Sequence, residues 1–165
     1  MWHKLISYLK FLLKSTNAHG VHSPFVFSYL TQCLYSRPKM AQNKTINVLL
    51  KSIDYLEARR VSTNDRDIQK FVREKFPDIH LDGKHFDIVY AKRMGMSKFI
   101  ELLSSSKLHN DSMILIDSIH KNPEKQQEWK NLITYPKITV SIDMYHCGAI
   151  FIRKEQVKEH FTIRI

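Results

Sequence analysis

A chain of 165 residues with 43% hydrophobic and 25% charged content can bury a real core, which excludes fibrous, disordered and low-complexity classes. Its net charge of +10 is uneven, because residues 1–60 carry nine Lys or Arg against only Asp54 and Glu57. That excess permits contact with nucleic acid or anionic lipid, but charge alone gives nonspecific attraction, and a solvated basic surface is the expectation over a nucleic-acid site. Cys33 and Cys147 are too few and too isolated for a disulfide framework or a zinc site, so a reduced, cytoplasmic setting is expected.

Trp2 to Leu13 is apolar but interrupted by Lys4, Ser7 and Lys10, lacks a cleavage signature, and is too short to span a bilayer. Trp2, Leu5, Ile6, Leu9, Leu12 and Leu13 share one side of a helix, with Lys4, Lys10 and Lys14 largely elsewhere. Packing against the core or a partner is expected for this stripe, ahead of a membrane surface. The helix should stop near Ser15–Asn17. His19-Gly20 turns the chain, and Ser23 caps a helix over 25–35 that Pro24 opens. Ser36–Thr45 reads as loop, and a third helix runs over 45–56.

Residues 59–63 form a weak strand candidate, and residues 65–76 a helix with Ile68, Phe71 and Val72 inward, stopped by Pro77. Ile79-His80-Leu81 reads as a short strand before the Asp82-Gly83 turn. Residues 86–91 form a buried strand, 96–108 a helix, and 113–116 a strand whose unbroken apolar run suits a parallel sheet. A helix over 123–132 follows, then a hairpin of 138–144 with 149–152. Residues 161–165 form an edge segment or extend that hairpin. Strands alternating with helices argue for βαβ units. The expected fold class is thus α/β, with a shortened, mostly parallel sheet of about five strands that ends in an antiparallel hairpin. The whole reads as one domain, with residues 1–44 as a helical extension and 45–165 as the α/β core.

Asp117 and His120 fall just past a strand's carboxyl end, where open α/β sheets place ligands, so an acid/base pair is one reading and ordinary loop residues the other. His19 and His22 flank Gly20 and either line a substrate pocket or support the turn; no carboxylate or cysteine near them in sequence argues for a metal. If the strands hold, Arg59, Arg60, Lys92 and Arg93 gather at one end of the sheet, as a solvated rim or an anion site.

Three stretches carry a resemblance. They are Phe11–Tyr35 with its His19-Gly20-Val21-His22-Ser23-Pro24-Phe25-Val26-Phe27 run; Met113–Glu128 with Ile116-Asp117-Ser118-Ile119-His120; and Tyr135–Ile165 with Pro136–Asp143, Gly148, Phe151–Gln156 and His160-Phe161. Together they span close to half the chain, which resembles bacterial class I S-adenosylmethionine-dependent methyltransferases. The resemblance implies a Rossmann-like methyltransferase fold behind added helices, with methyl transfer to a small-molecule acceptor as the parent activity. It implies a cofactor site at Ser62, Thr63, Asn64 and Asp117, catalytic roles for Asp117 and His120, and substrate contacts from His19 and His22.

The chain departs from that family where the cofactor would sit. Residues 21–82 contain no glycine, and the stretch corresponding to the family's cofactor turn reads Arg59-Arg60-Val61-Ser62-Thr63-Asn64-Asp65. Only glycine lets a backbone approach a ligand closely or take positive φ without penalty. Two βα units of a full member have no room before residue 86, no second-strand acid is found, and Lys92-Arg93 stand where the family tends to place an acid. A pseudoenzyme with weak or no activity, binding S-adenosylmethionine poorly or not at all and no metal, is therefore expected. A non-catalytic binding module that self-associates through residues 2–35, or a basic nucleic-acid binder, are the alternatives.

Overall fold

The computed structural model describes residues 2–165, with side chains from Lys4 onward. Helix α1 (Trp2–Lys14) leads to a short 3₁₀ turn at Ala18–Gly20, then to α2 (Pro24–Ser28), which runs directly into a π-helical segment at Tyr29–Leu34. Helix α3 (Lys44–Tyr55) precedes the sheet. From there β1 (Val61–Ser62), α4 (Arg66–Lys75), β2 (Phe86–Ala91), α5 (Met96–Ser104), β3 (Leu108–Asp117) and α6 (Pro123–Ile133) alternate. Three strands close the chain: β4 (Val140–Asp143), β5 (Cys147–Phe151) and β6 (Glu159–Thr162).

Short polar side chains set the helix starts. The Ser23 hydroxyl accepts from the Val26 amide at 3.3 Å, with Pro24 in the first turn. Asn43 accepts from Ile46 N at 3.1 Å to open α3, and Asn122 accepts from Lys125 N at 2.8 Å to open α6. Each satisfies an amide that the helix cannot pair internally.

The strands form one sheet in the order β1-β2-β3-β5-β4-β6. Pairing is parallel for β1–β2, β2–β3 and β4–β6 and antiparallel on both sides of β5, so β5 alone runs against the rest. The α/β expectation holds, with six strands rather than about five. Two boundaries differ. Helix α5 ends at Ser104, not 108, because Ser106 at φ +53° turns the chain and delivers Leu108 into β3. Strand β6 lies parallel to β4 at the edge, which excludes it as an extension of the hairpin.

Side chains alternate across the sheet, as a pleat requires. Ile88, Tyr90, Met113, Leu115, Ile142, Ala149 and Phe151 join one core with Val26, Tyr29, Leu30, Leu49 and Ile53 from the amino-terminal helices and Ile68 and Val72 of α4. Val89, Ile114, Ile116 and Ile150 join the other, under Phe99 and Leu102 of α5 and Trp129 and Leu132 of α6. Parallel strands covered on both faces read as continuous apolar runs.

Helix α1 contradicts the core-facing part of its expectation. Its inward side chains are Ser7 and Phe11, at 4% and 6% exposure, whereas Leu5, Ile6, Leu9 and Leu13 are 55%, 46%, 52% and 88% exposed. The cause is the contact that docks it. The Tyr145 hydroxyl, at the β4–β5 hairpin tip, donates to the Lys4 carbonyl at 2.9 Å and meets the Ser7 hydroxyl at 3.3 Å, while its ring lies 5.4 Å from Phe11. This fixes the helix by the side that carries Ser7 and Phe11 and turns the leucine side outward. Trp2 lies outside the described side chains.

Candidate functional site

The carboxyl ends of β1 and β2 open onto a cleft of about 510 Å³, with Ser62, Thr63, Asn64, Asp65, Tyr90 and Lys92 among its walls. Three of the four cofactor residues expected from the sequence therefore meet there. Asp117 borders a small adjoining cavity, with Lys92, Lys125 and Trp129.

The turn from β1 to α4 is closed on itself. The Asp65 amide donates to Thr63 Oγ1 at 3.1 Å, and the Gln69 side chain donates to the Thr63 carbonyl at 2.7 Å. The Asp65 carboxylate accepts from the amides of Asp67 and Ile68 at 3.0 and 3.3 Å, capping α4. Its other oxygen meets Lys92 Nζ at 2.5 Å, and the same lysine holds the Asp65 carboxyl below its usual range, helped by the two amides. Amides that would face an anionic or polar ligand in an open turn are thus spent on side chains of the turn itself. Asn64 is exposed and is not among the residues at positive φ; the Thr63 and Asp65 side chains shape the turn without a left-handed residue.

The basic residues split between the ends of the sheet. Arg93 is tied to Glu124 and Glu128 of α6, each at 2.5 Å. Arg59 and Arg60 precede β1 at the opposite, amino-terminal end, where both amides donate to Asp87 Oδ2 at 2.8 Å. The expected cluster of four does not form, because β1 starts only at Val61 and leaves both arginines behind it.

Asp117 ends β3 opposite Cys147, and its carboxylate accepts from the Ser118 hydroxyl at 3.0 Å. His120 is buried and meets a different carboxylate. Its Nε2 lies 2.7 Å from Asp143 Oδ2, and the Gln126 amide donates to its Nδ1 at 3.1 Å, which places the ring proton on Nε2. The Tyr145 ring stacks on the imidazole at 5.0 Å and 12°. Asp143 Oδ1 also accepts from the Tyr145 amide at 2.8 Å and holds that residue at φ +64°. With both ring nitrogens engaged, His120 has none free for a ligand in this arrangement. Ser118, at φ +55°, joins His120, Lys121, Tyr145 and His146 around a second depression of about 330 Å³. The Asp143 partnership was missed in the sequence because 23 residues separate it from His120; a lone acid ending a strand in a hairpin was the available signal.

His19 and His22 are exposed, and neither lines the cleft or the hairpin-tip depression. The turn they flank is stabilised by Asn17, whose side chain accepts from the His19 amide at 3.1 Å. Among the described residues no group of three His, Cys, Asp or Glu is placed to hold a metal.

No family model and no curated protein matches this chain. Among solved structures it is similar to the SAH-bound methyltransferase PaMTH1 of Podospora anserina, at 11% identity and a TM-score of 0.47, over 70% of this chain and 81% of that one.

Proposed function

We propose that the chain is a methyltransferase-like protein whose S-adenosylmethionine site has eroded, leaving weak or no activity on a small-molecule acceptor and a fold that serves as a binding scaffold. The observation that carries this reading is the β1–α4 turn. A cofactor held at this end of the sheet needs backbone close to its methionine and ribose, and a glycine-free turn of three residues, Thr63 to Asp65, with its own side chains bonded across it keeps that backbone away. The residues present do not fit the group.

Calorimetric titration of the full chain with S-adenosylmethionine and with S-adenosylhomocysteine tests the reading. The expected result is no binding tighter than about millimolar, equivalent to roughly 4 kcal/mol. Micromolar binding of either compound would overturn it.

A further inference from the structure

We infer that α1 is an interfacial anchor that docks the protein onto an anionic lipid surface. The helix is held to the body by Ser7, Phe11 and the Lys4 carbonyl, so its outward sector is a rigid display. That sector presents Leu5, Ile6, Leu9 and Leu13, at 55%, 46%, 52% and 88% exposure. On a helical projection these four fall within about one third of the circumference; Lys10 borders that sector, and Lys14 lies further round, toward Ser7. An apolar sector edged by Lys10 on an exposed helix, with Lys14 in the last turn, matches the geometry of helices that lie in the plane of a headgroup layer, leucines in the acyl boundary and ammonium groups reaching the phosphates. No helix among the described residues is long and apolar enough to cross a membrane, so the proposed contact is peripheral.

Charge decides between a lipid surface and a second copy of the chain. The first acidic residue in the sequence is Asp54, and before it stand the exposed Lys4, Lys10, Lys14, Arg37, Lys39 and Lys44. Pairing two copies through α1 would bring two lysine-edged helices together with no carboxylate on either, whereas an anionic bilayer complements both the leucines and the lysines. Each lysine close to such a surface raises partitioning about fivefold, an effect that salt screens.

The test is co-sedimentation of the full chain with large vesicles, either phosphatidylcholine alone or equal parts phosphatidylcholine and phosphatidylglycerol, with sedimentation velocity in parallel. Binding to the phosphatidylglycerol vesicles, weakened by salt and much lower on phosphatidylcholine alone, is expected. The double substitution Leu9→Asp/Leu13→Asp, confined to exposed side chains and checked by circular dichroism, should lower partitioning at least tenfold. Lys10→Glu/Lys14→Glu should lower it on the anionic vesicles, keeping the native circular dichroism spectrum. Three results would overturn the proposal: protein that stays in the supernatant with both vesicle types, binding that ignores the leucine substitutions, or a dimer that those substitutions dissolve with no vesicle binding.

Discussion

Gly148 is the position where one added methyl group should be felt most. It lies in β5 between Ile116 of β3 and Asp143 of β4, and a Cβ there would meet Trp129 Cζ3 at 2.5 Å, Cη2 at 2.6 Å and Cε3 at 3.0 Å. Non-bonded carbons settle at about 3.5–4.0 Å, so the indole would have to withdraw by roughly 1 Å. Neither side has slack, since the strand is paired on both flanks and Trp129 is 3% exposed within the α6 core. Overpacking of this kind costs about 1–3 kcal/mol, and a rigid ring against a central strand belongs at the upper end. Gly148→Ala should therefore lower the midpoint of thermal unfolding by about 6–10 °C for a domain of this size. Differential scanning calorimetry measures it directly, and the Trp129→Leu background isolates the cause. Once the indole is gone the same substitution should cost under about 1 kcal/mol, a coupling characteristic of residues in contact. An unchanged midpoint for Gly148→Ala, or an equal penalty in both backgrounds, would refute the steric reasoning.

Two other measurements bear on the cleft and the core. The Asp65 carboxyl is held low by Lys92 and by the α4 amides, so its contribution to stability is present above about pH 4 and is lost as pH falls further; Asp65→Asn, which keeps a capping oxygen, should flatten the fall in unfolding midpoint between about pH 4 and pH 2. Cys33 and Cys147 are buried, and burial pushes the Cys33 thiol up to about 12 and the Cys147 thiol up as well; a thiol reagent at pH 8 should leave the folded protein unmodified and label both cysteines once guanidinium unfolds it.

The elements written most clearly in the sequence were those whose signals are local. Residues 86–91 are apolar apart from Asp87 and bounded by His85 and Lys92, and that segment is β2 to the residue. Asn122-Pro123 and Asp65 announce their helices because capping is decided within one turn. What was hidden depends on distant partners. The amphipathic pattern of α1 gives the angle between its faces but not which one meets the protein; Tyr145, 141 residues from Lys4, settles that. The start of β3 at Leu108 was hidden because residue 108 falls at the end of the helix expected over 96–108 and residues 109–112 are all polar. They are strand residues held by β2, His109 through Asp87 at 2.9 Å and Ser112 through the Phe86 carbonyl at 2.7 Å. In the candidate site, the missing glycine was plain in the sequence. The way Thr63, Asp65, Gln69 and Lys92 fill its place was not, since Lys92 comes from another strand's end.

Each edge of the sheet ends in a single backbone bridge. Beyond β1, the Val61 amide donates to the His80 carbonyl and the His80 amide to the Arg59 carbonyl, both at 2.9 Å. Beyond β6, the Thr16 amide donates to the Thr162 carbonyl at 2.9 Å and the Arg164 amide to the Thr16 carbonyl at 3.2 Å. A sheet that stops at a two-residue strand would ordinarily offer bare amides and carbonyls to any passing β-chain. Here irregular segments already take the outward hydrogen-bonding groups of Arg59 and Val61 at one edge and of Thr162 and Arg164 at the other. So short a first strand is covered along its length by the His80 bridge, which caps that edge against edge-to-edge pairing, while the Thr16 bridge blocks the end of β6.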